Sequence, residues 1–238
     1  AMQARLLLEQ GLASERAMAE VVVRARRHAL ANPHAQLRQE VSVEELLAAE
    51  TFVSPLRESD CAPVADGAAA MIICTVEKAR AWGLPYARIS GIDHRIETHN
   101  LGMRDLTDSV STRQAAAAAG MKRGPVQVAE LYAPFSHQEI ILCRALGLGE
   151  ETVIKPSGGV MAGNLMMASG LARIGEVFRR IASGDTGLSL KWRTIRRLRT
   201  TSVNSMVLSF PNSWPTERAP AEAPVTFYLS TVPRSQPT

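Results

Sequence analysis

The sequence predicts an α/β layered fold, and three observations predict it. Short apolar runs of strand length alternate with longer runs whose apolar residues recur every three to four positions. From about residue 84 onward the order is β, α, β, α, β, α, which is the order of a sheet with helices packed on its faces. A Gly-Gly pair at 158–159 follows one of these strands, at the kind of strand end where α/β folds build sites.

Taken in order, QARLLLEQ reads as a helix stopped by Gly11, and a second helix starts behind Ser14 with Met18, Val21, Val22 and Ala25 on one face. It ends before Asn32-Pro33, where the residue ahead of proline is held out of the helical region. Residues 41–49 form a short helix with Val43, Leu46 and Leu47 inward, and 51–53 lead into the Ser54-Pro55 turn. Residues 68–74 read as a wholly apolar strand that needs cover on both faces, and its partners are expected to precede this chain. Residues 87–93 open a further strand, and the alanine-rich helix over 110–119 stops at Gly120. Residues 126–170 then form the organising stretch: a buried strand with Val126 and Val128, a turn with Tyr132 and Pro134, a helix with Ile140, Ile141 and Leu146, a strand at Val153 and Ile154, the glycine loop, and a final helix from about Met166.

Composition narrows the function classes. The chain has 238 residues, 46% of them apolar, and a net charge of +4. From Asp185 onward there are seven Lys/Arg against three Asp/Glu. The whole excess therefore sits in the last stretch, and nucleic acid is not expected as a partner. KWRTIRRLR at 191–199 has the composition of a membrane or nucleic-acid patch, which a short segment can carry by chance. No apolar run reaches the ~18 residues of a membrane span, and neither a span nor a secretion signal is expected. Three cysteines, Cys61, Cys74 and Cys143, are odd in number and not metal-spaced, which fits a reduced, cytoplasmic setting. His94 and His99 lack a third ligand, so no metal is expected. Ala1 before Met2 reads as a vector remnant, with Met2 as the start of the gene.

Several motifs in order resemble the thiolases, above all their sterol-carrier and lipid-transfer branch: ELYAPF at 130–135, PSGGVMAGN at 156–164 and ASGLARIGE at 168–176, with SPLRESDCAPVADGAAAMII at 54–73 and HNLG at 99–102 upstream. The resemblance covers roughly residues 5–184. It implies loop-region helices over 1–60, the last strand and helix of an N-terminal core over 61–83, and a C-terminal core domain over 84–184. Residues 185–238 fall outside it, and their Pro, Ser, Thr and Arg content predicts that most of them are disordered or loosely attached; a frame shift near Gly184, or natural divergence, would explain the abrupt loss of resemblance.

What the resemblance implies for chemistry is carbon-carbon bond making or breaking on an acyl-CoA of lipid or steroid type, with the coenzyme A thioester as substrate and no resident cofactor. The family's nucleophilic cysteine lies in a segment absent here, and the final cysteine motif is missing, so little or no activity is expected of the chain alone. Tyr132 stands where classical thiolases carry an asparagine and sterol-carrier thiolases a histidine. Asn164 stands where they carry the histidine that activates cysteine. Tyrosine at this position points toward retro-aldolases of steroid side-chain breakdown, in which tyrosines move the proton. Gly158, Gly159 and Gly163 either admit a thioester or pantetheine close to the backbone or only permit a tight turn. Arg24 and Arg27, with Arg26 and His28, either complement a helix C-terminus or hold coenzyme A phosphates. Three classes stay open: an aldolase of Tyr132 and Asn164 with an OB-fold partner subunit, a coenzyme A or lipid-binding module, and a remnant that forms a homodimer through its orphaned strand.

Overall fold

In the computed structural model the described residues are 1–83, 86, 87, 89, 91–121, 126–181, 187–192, 205–210 and 225–226. Three helices open the chain, α1 (Met2–Glu9), α2 (Glu15–Ala29) and α3 (Val43–Ala48). Ser14 caps α2 by accepting from the Ala17 amide, and Met18, Val21, Val22 and Ala25 are buried along one face, as the helical periodicity predicts. A capping box closes the start of α3: Ser42 accepts from the Glu45 amide while the Glu45 carboxylate accepts from the Ser42 amide. Two small strands, β1 (Thr51–Val53) and β2 (Leu56–Arg57), then pair antiparallel.

The apolar strand expected over residues 68–74 is reduced to β3 (Ile72–Ile73), and it is not covered on both faces. Ile72 and Ile73 are 43% and 59% exposed. Alanines at 68–70 carry one methyl each, so a strand built on them gains little from burial. A short helix, α4 (Val76–Trp82), follows and ends on Gly83 in the left-handed region.

The main sheet has five strands in the order β4-β8-β7-β5-β6: β4 (Gly91–Arg95), β5 (Val128–Leu131), β6 (Val153–Ile154), β7 (Gly187–Trp192) and β8 (Ser205–Phe210). β5 runs parallel to both β6 and β7, whereas β8 is antiparallel to β7 and β4. All four residues of β5 are buried, and their alternation defines the layers. Ala129 and Leu131 pack with Ala115 and Ala116 of α5 (Val110–Ala118) and Leu142 of α6 (Ser136–Leu146). Glu130 points to the other face, where it meets Arg173 of α7 (Ser169–Ile181). Period-two alternation thus places α5 and α6 on one side of the sheet and α7 on the other.

Beyond residue 184, in the stretch expected to be disordered, the described residues form β7 and β8 of this sheet and β9 (Val225–Thr226), which pairs with β3; the rest of that stretch lies outside the described residues. The six residues of β7 alternate leucine or tryptophan with serine or lysine after Gly187, a strand pattern that the polar composition of the wider segment hides. Most of the basic run at 191–199 lies outside the described residues.

One histidine makes the fold sensitive to acid. His137 on α6 is 2% exposed, its Nε2 is 3.3 Å from Gln3 Oε1, and burial, with the nearby chain amine, pushes its pKa down to about 4. A folded-state pKa below the unfolded value near 6.5 means that the unfolded chain binds the extra proton. Stability is therefore expected to be free of this penalty above pH 6.5 and to fall by about 2–3 kcal/mol between pH 7 and pH 4.5. Urea unfolding at both pH values should show that loss in the wild type and a smaller one in His137→Gln.

Candidate functional site

The site forms where β5 ends. Tyr132 follows its last residue, and the segment at 61–65 threads between the turn at 132–135 and the loop that ends at Asn164. Cys61 bridges to Phe135, the Ala62 amide donates to Pro134 O at 2.8 Å, the Asn164 amide donates to Pro63 O at 3.0 Å, and the Ala65 amide donates to Asn164 O at 3.0 Å. These bonds fix two stretches distant in sequence side by side.

They bring Tyr132 and Asn164 together. The half-buried Tyr132 donates its hydroxyl hydrogen to Asn164 Oδ1 at 3.4 Å. The same oxygen accepts from the Met166 amide at 3.1 Å and from Ser169 Oγ at 3.0 Å. Three donors on one oxygen define which end of the amide is Oδ1. Nδ2 donates to Met166 Sδ at 3.6 Å, and a thioether is a weak acceptor. Asn164 is 5% exposed, so its amide is a fixed, largely desolvated dipole beside a phenol hydroxyl.

The strand residue before this pair anchors the loop. Glu130 is fully buried, with Oε1 accepting from the Ser157 amide at 3.0 Å and Oε2 from Arg173 Nη1 at 3.0 Å. Arg173 Nη1 also donates to Ser157 Oγ at 2.6 Å, and the Gly159 amide donates to the same oxygen at 3.1 Å. Sequence reading did not single out Glu130 or Arg173. The signal for Glu130 was a charged residue inside a strand of otherwise buried character, because a buried charge needs a partner; Arg173, on α7, carried no such signal.

The expected glycines sit in that loop, each against protein. Gly158 has φ +86°, and a Cβ there would lie 2.8 Å from the Ala29 Cβ and 2.9 Å from Ala25 O of α2. Gly159 has φ +63° and would meet the Lys155 side chain. At Gly163 a Cβ would lie 3.4 Å from the Gln36 amide nitrogen. The tight approach is thus to α2, to Lys155 and to residue 36.

Arg24 and Arg27 part company. Arg27 is exposed, whereas Arg24 pairs with Glu139 of α6, whose other oxygen pairs with the buried Lys155. Burial, helped by the Arg24 charge, pushes the Lys155 ammonium down to about 7, with Cys143 and Glu130 opposing that push. Arg24, half-buried, therefore ties α2 to α6. His94 and His99 are exposed, and no cluster of three or more metal-ligating side chains occurs among the described residues.

No family model matches the chain. Curated relatives do. Benzoylsuccinyl-CoA thiolase subunit BbsB of Thauera aromatica is 28% identical over 210 residues, taking in 79% of this chain and 54% of that protein. Acetyl-CoA acetyltransferase of Methanothermobacter thermautotrophicus is 31% identical over 211 residues, 78% of this chain and 54% of that protein. Sterol carrier protein 2 of Oryctolagus cuniculus is 26% identical over 179 residues, 63% and 33% respectively. The chain is a thiolase-superfamily relative. It spans about half the length of the thiolases it matches.

Solved structures agree on the fold. A monomeric SCP2-thiolase like protein type 1 from Mycobacterium smegmatis superposes with a TM-score of 0.70 at 21% identity, over 92% of this chain and 52% of that one. An Ltp2-ChsH2(DUF35) aldolase superposes with a TM-score of 0.70 at 20% identity, over 89% and 62%. The fold of this thiolase-superfamily relative is therefore the α/β fold of SCP2-thiolase-like proteins. Two of its cysteines sit in surroundings that oppose a reactive thiolate: burial raises the pKa of Cys61, with the Asp60 charge adding to it, and burial raises that of Cys143. No described helix is long and apolar enough to cross a membrane.

Proposed function

We propose that this chain binds an acyl-CoA thioester against Asn164 and Tyr132 and takes part in carbon-carbon bond cleavage of the retro-aldol type. The observation that carries this reading is the Tyr132 hydroxyl on Asn164 Oδ1, with Nδ2 of the same amide engaged only by a thioether among its hydrogen bonds described above. A thioester oxygen is a better acceptor than sulfur, and better still when it gathers negative charge.

In a retro-aldol step on a 3-hydroxyacyl thioester, the hydroxyl proton leaves and the Cα–Cβ bond breaks. A ketone or aldehyde departs, and the electron pair moves into the thioester as an enolate. A proton then returns to Cα. Asn164 Nδ2 stabilises the enolate oxygen, and Tyr132 carries the proton. The raised Cys61 and Cys143 thiols favour this route over acyl transfer through either of them. The aldolase among the structural neighbours and the CoA thiolases among the relatives support it by likeness. As part of the same reading, the acyl chain is of lipid or steroid type, the protein acts in the cytoplasm, and turnover requires a second subunit or a second copy of this chain.

Tyr132→Phe tests the reading. Exchange of the Cα hydrogen of a bound acyl-CoA with solvent deuterium is expected to fall by about 100-fold or more, while affinity for the acyl-CoA changes by less than about threefold. Exchange that persists in the variant, or a wild type that does not bind an acyl-CoA, would overturn it.

A further inference from the structure

Met166 holds an unusual place beside this site. It has φ +50°, its amide donates to Asn164 Oδ1, its Sδ accepts from Asn164 Nδ2 at 3.6 Å, and the residue is 49% exposed. Met18 and Met161, by contrast, are 1% exposed in the interior. A thioether that is both open to solvent and in contact with a functional amide is a point where oxidation changes the site and not only the surface.

We propose that Met166 is a site of reversible oxidation whose sulfoxide captures the Asn164 side-chain amide. The oxidant is hydrogen peroxide. Its O–O bond breaks, one oxygen atom joins the sulfur lone pair as an S–O bond, sulfur is oxidised by two electrons, and the second oxygen leaves as water. Reduction by a thiol-dependent methionine sulfoxide reductase restores the thioether. The sulfoxide oxygen is a strong acceptor where the thioether was a weak one, and with Nδ2 already 3.6 Å from the sulfur the new oxygen lies within its reach. The oxidised form thus occupies the donor that a thioester oxygen would use. That consequence rests on the role proposed above for Asn164.

The test follows the Asn164 side-chain amide resonances of 15N-labelled protein before and after hydrogen peroxide, with peptide mapping to assign the added oxygens. Met103, 74% exposed, reports the peroxide dose. The amide protons of Asn164 are expected to move downfield in the wild type, to return after sulfoxide reductase, and to stay in place in Met166→Leu. Acyl-CoA dissociation constants are expected to rise about tenfold or more in the oxidised wild type and to stay within about twofold in oxidised Met166→Leu. A Met166 that remains unoxidised when Met103 is fully converted overturns the proposal. So do Asn164 resonances that ignore the sulfoxide, or an affinity loss that is equal in Met166→Leu. Reduced protein that binds no acyl-CoA would refute the retro-aldol reading instead, and the resonances would still decide the oxidation.

Discussion

Replacing Glu130 by alanine is expected to cost about 3–5 kcal/mol of stability, the range for stripping one partner from a buried ion pair. Glu130 is fully buried and Arg173 is 6% exposed. Truncation leaves the Arg173 guanidinium without its carboxylate and the Ser157 amide without its acceptor, and each orphaned group costs free energy in the interior. Glu130→Gln keeps an acceptor of the same shape and should lose less. Glu130→Leu with Arg173→Met removes both charges and should lie closer to the wild type than Glu130→Ala alone, because no charge is left unpaired. Urea unfolding of the four proteins checks the order; a Glu130→Ala variant within about 1 kcal/mol of wild type would show that the pair does not anchor the loop.

Gly158→Ala should destabilise by about 3 kcal/mol or more, and Gly147→Ala by only about 1 kcal/mol, although both glycines have positive φ. At Gly147 a Cβ meets nothing within 4 Å, so only the left-handed conformation is penalised. At Gly158 the same methyl meets Ala25 O at 2.9 Å and the Ala29 and Ala162 methyls at 2.8 Å. A backbone carbonyl in a fifteen-residue helix does not yield as a side-chain tip does, so α2 or the loop must shift. Equal losses at the two positions would mean that α2 does not press on the loop.

The parts of the fold that read clearly in the sequence were those with local signals. Ser14 and the face of Met18, Val21, Val22 and Ala25 announced α2, and the buried run at Val128 announced β5. Tyr132 and Asn164 stood out through resemblance, and the structure places them in contact. What stayed hidden depends on partners far away in sequence. Arg24 reads as a helix-end cation until Glu139 is seen beside it. Glu130 reads as one charge in a motif until Arg173 and Ser157 close around it. Gly158 reads either as room for a thioester or as a tight turn, and the close approach of Ala25 and Ala29 to it is set by a helix more than 100 residues earlier. β7 and β8 stayed hidden for another reason: the composition of residues 185–238 is polar over a long window, whereas the strands rest on six-residue patterns, the alternation of GLSLKW and the short apolar run in SMVLSF.

Asn164→Asp is the sharpest probe of the central claim, because it keeps Oδ1 for Tyr132, Met166 and Ser169 and replaces the Nδ2 donor by a negatively charged acceptor, the three donors at Oδ1 offsetting the burial of that charge. Calorimetric titration of a 3-hydroxyacyl-CoA into wild type and Asn164→Asp, with thermal unfolding in parallel, measures it. The account predicts similar thermal stability and an affinity weaker by about tenfold or more in the variant, since a lost donor is compounded by repulsion of the thioester oxygen. Equal affinity in the two proteins would contradict the assignment of Asn164 to the thioester.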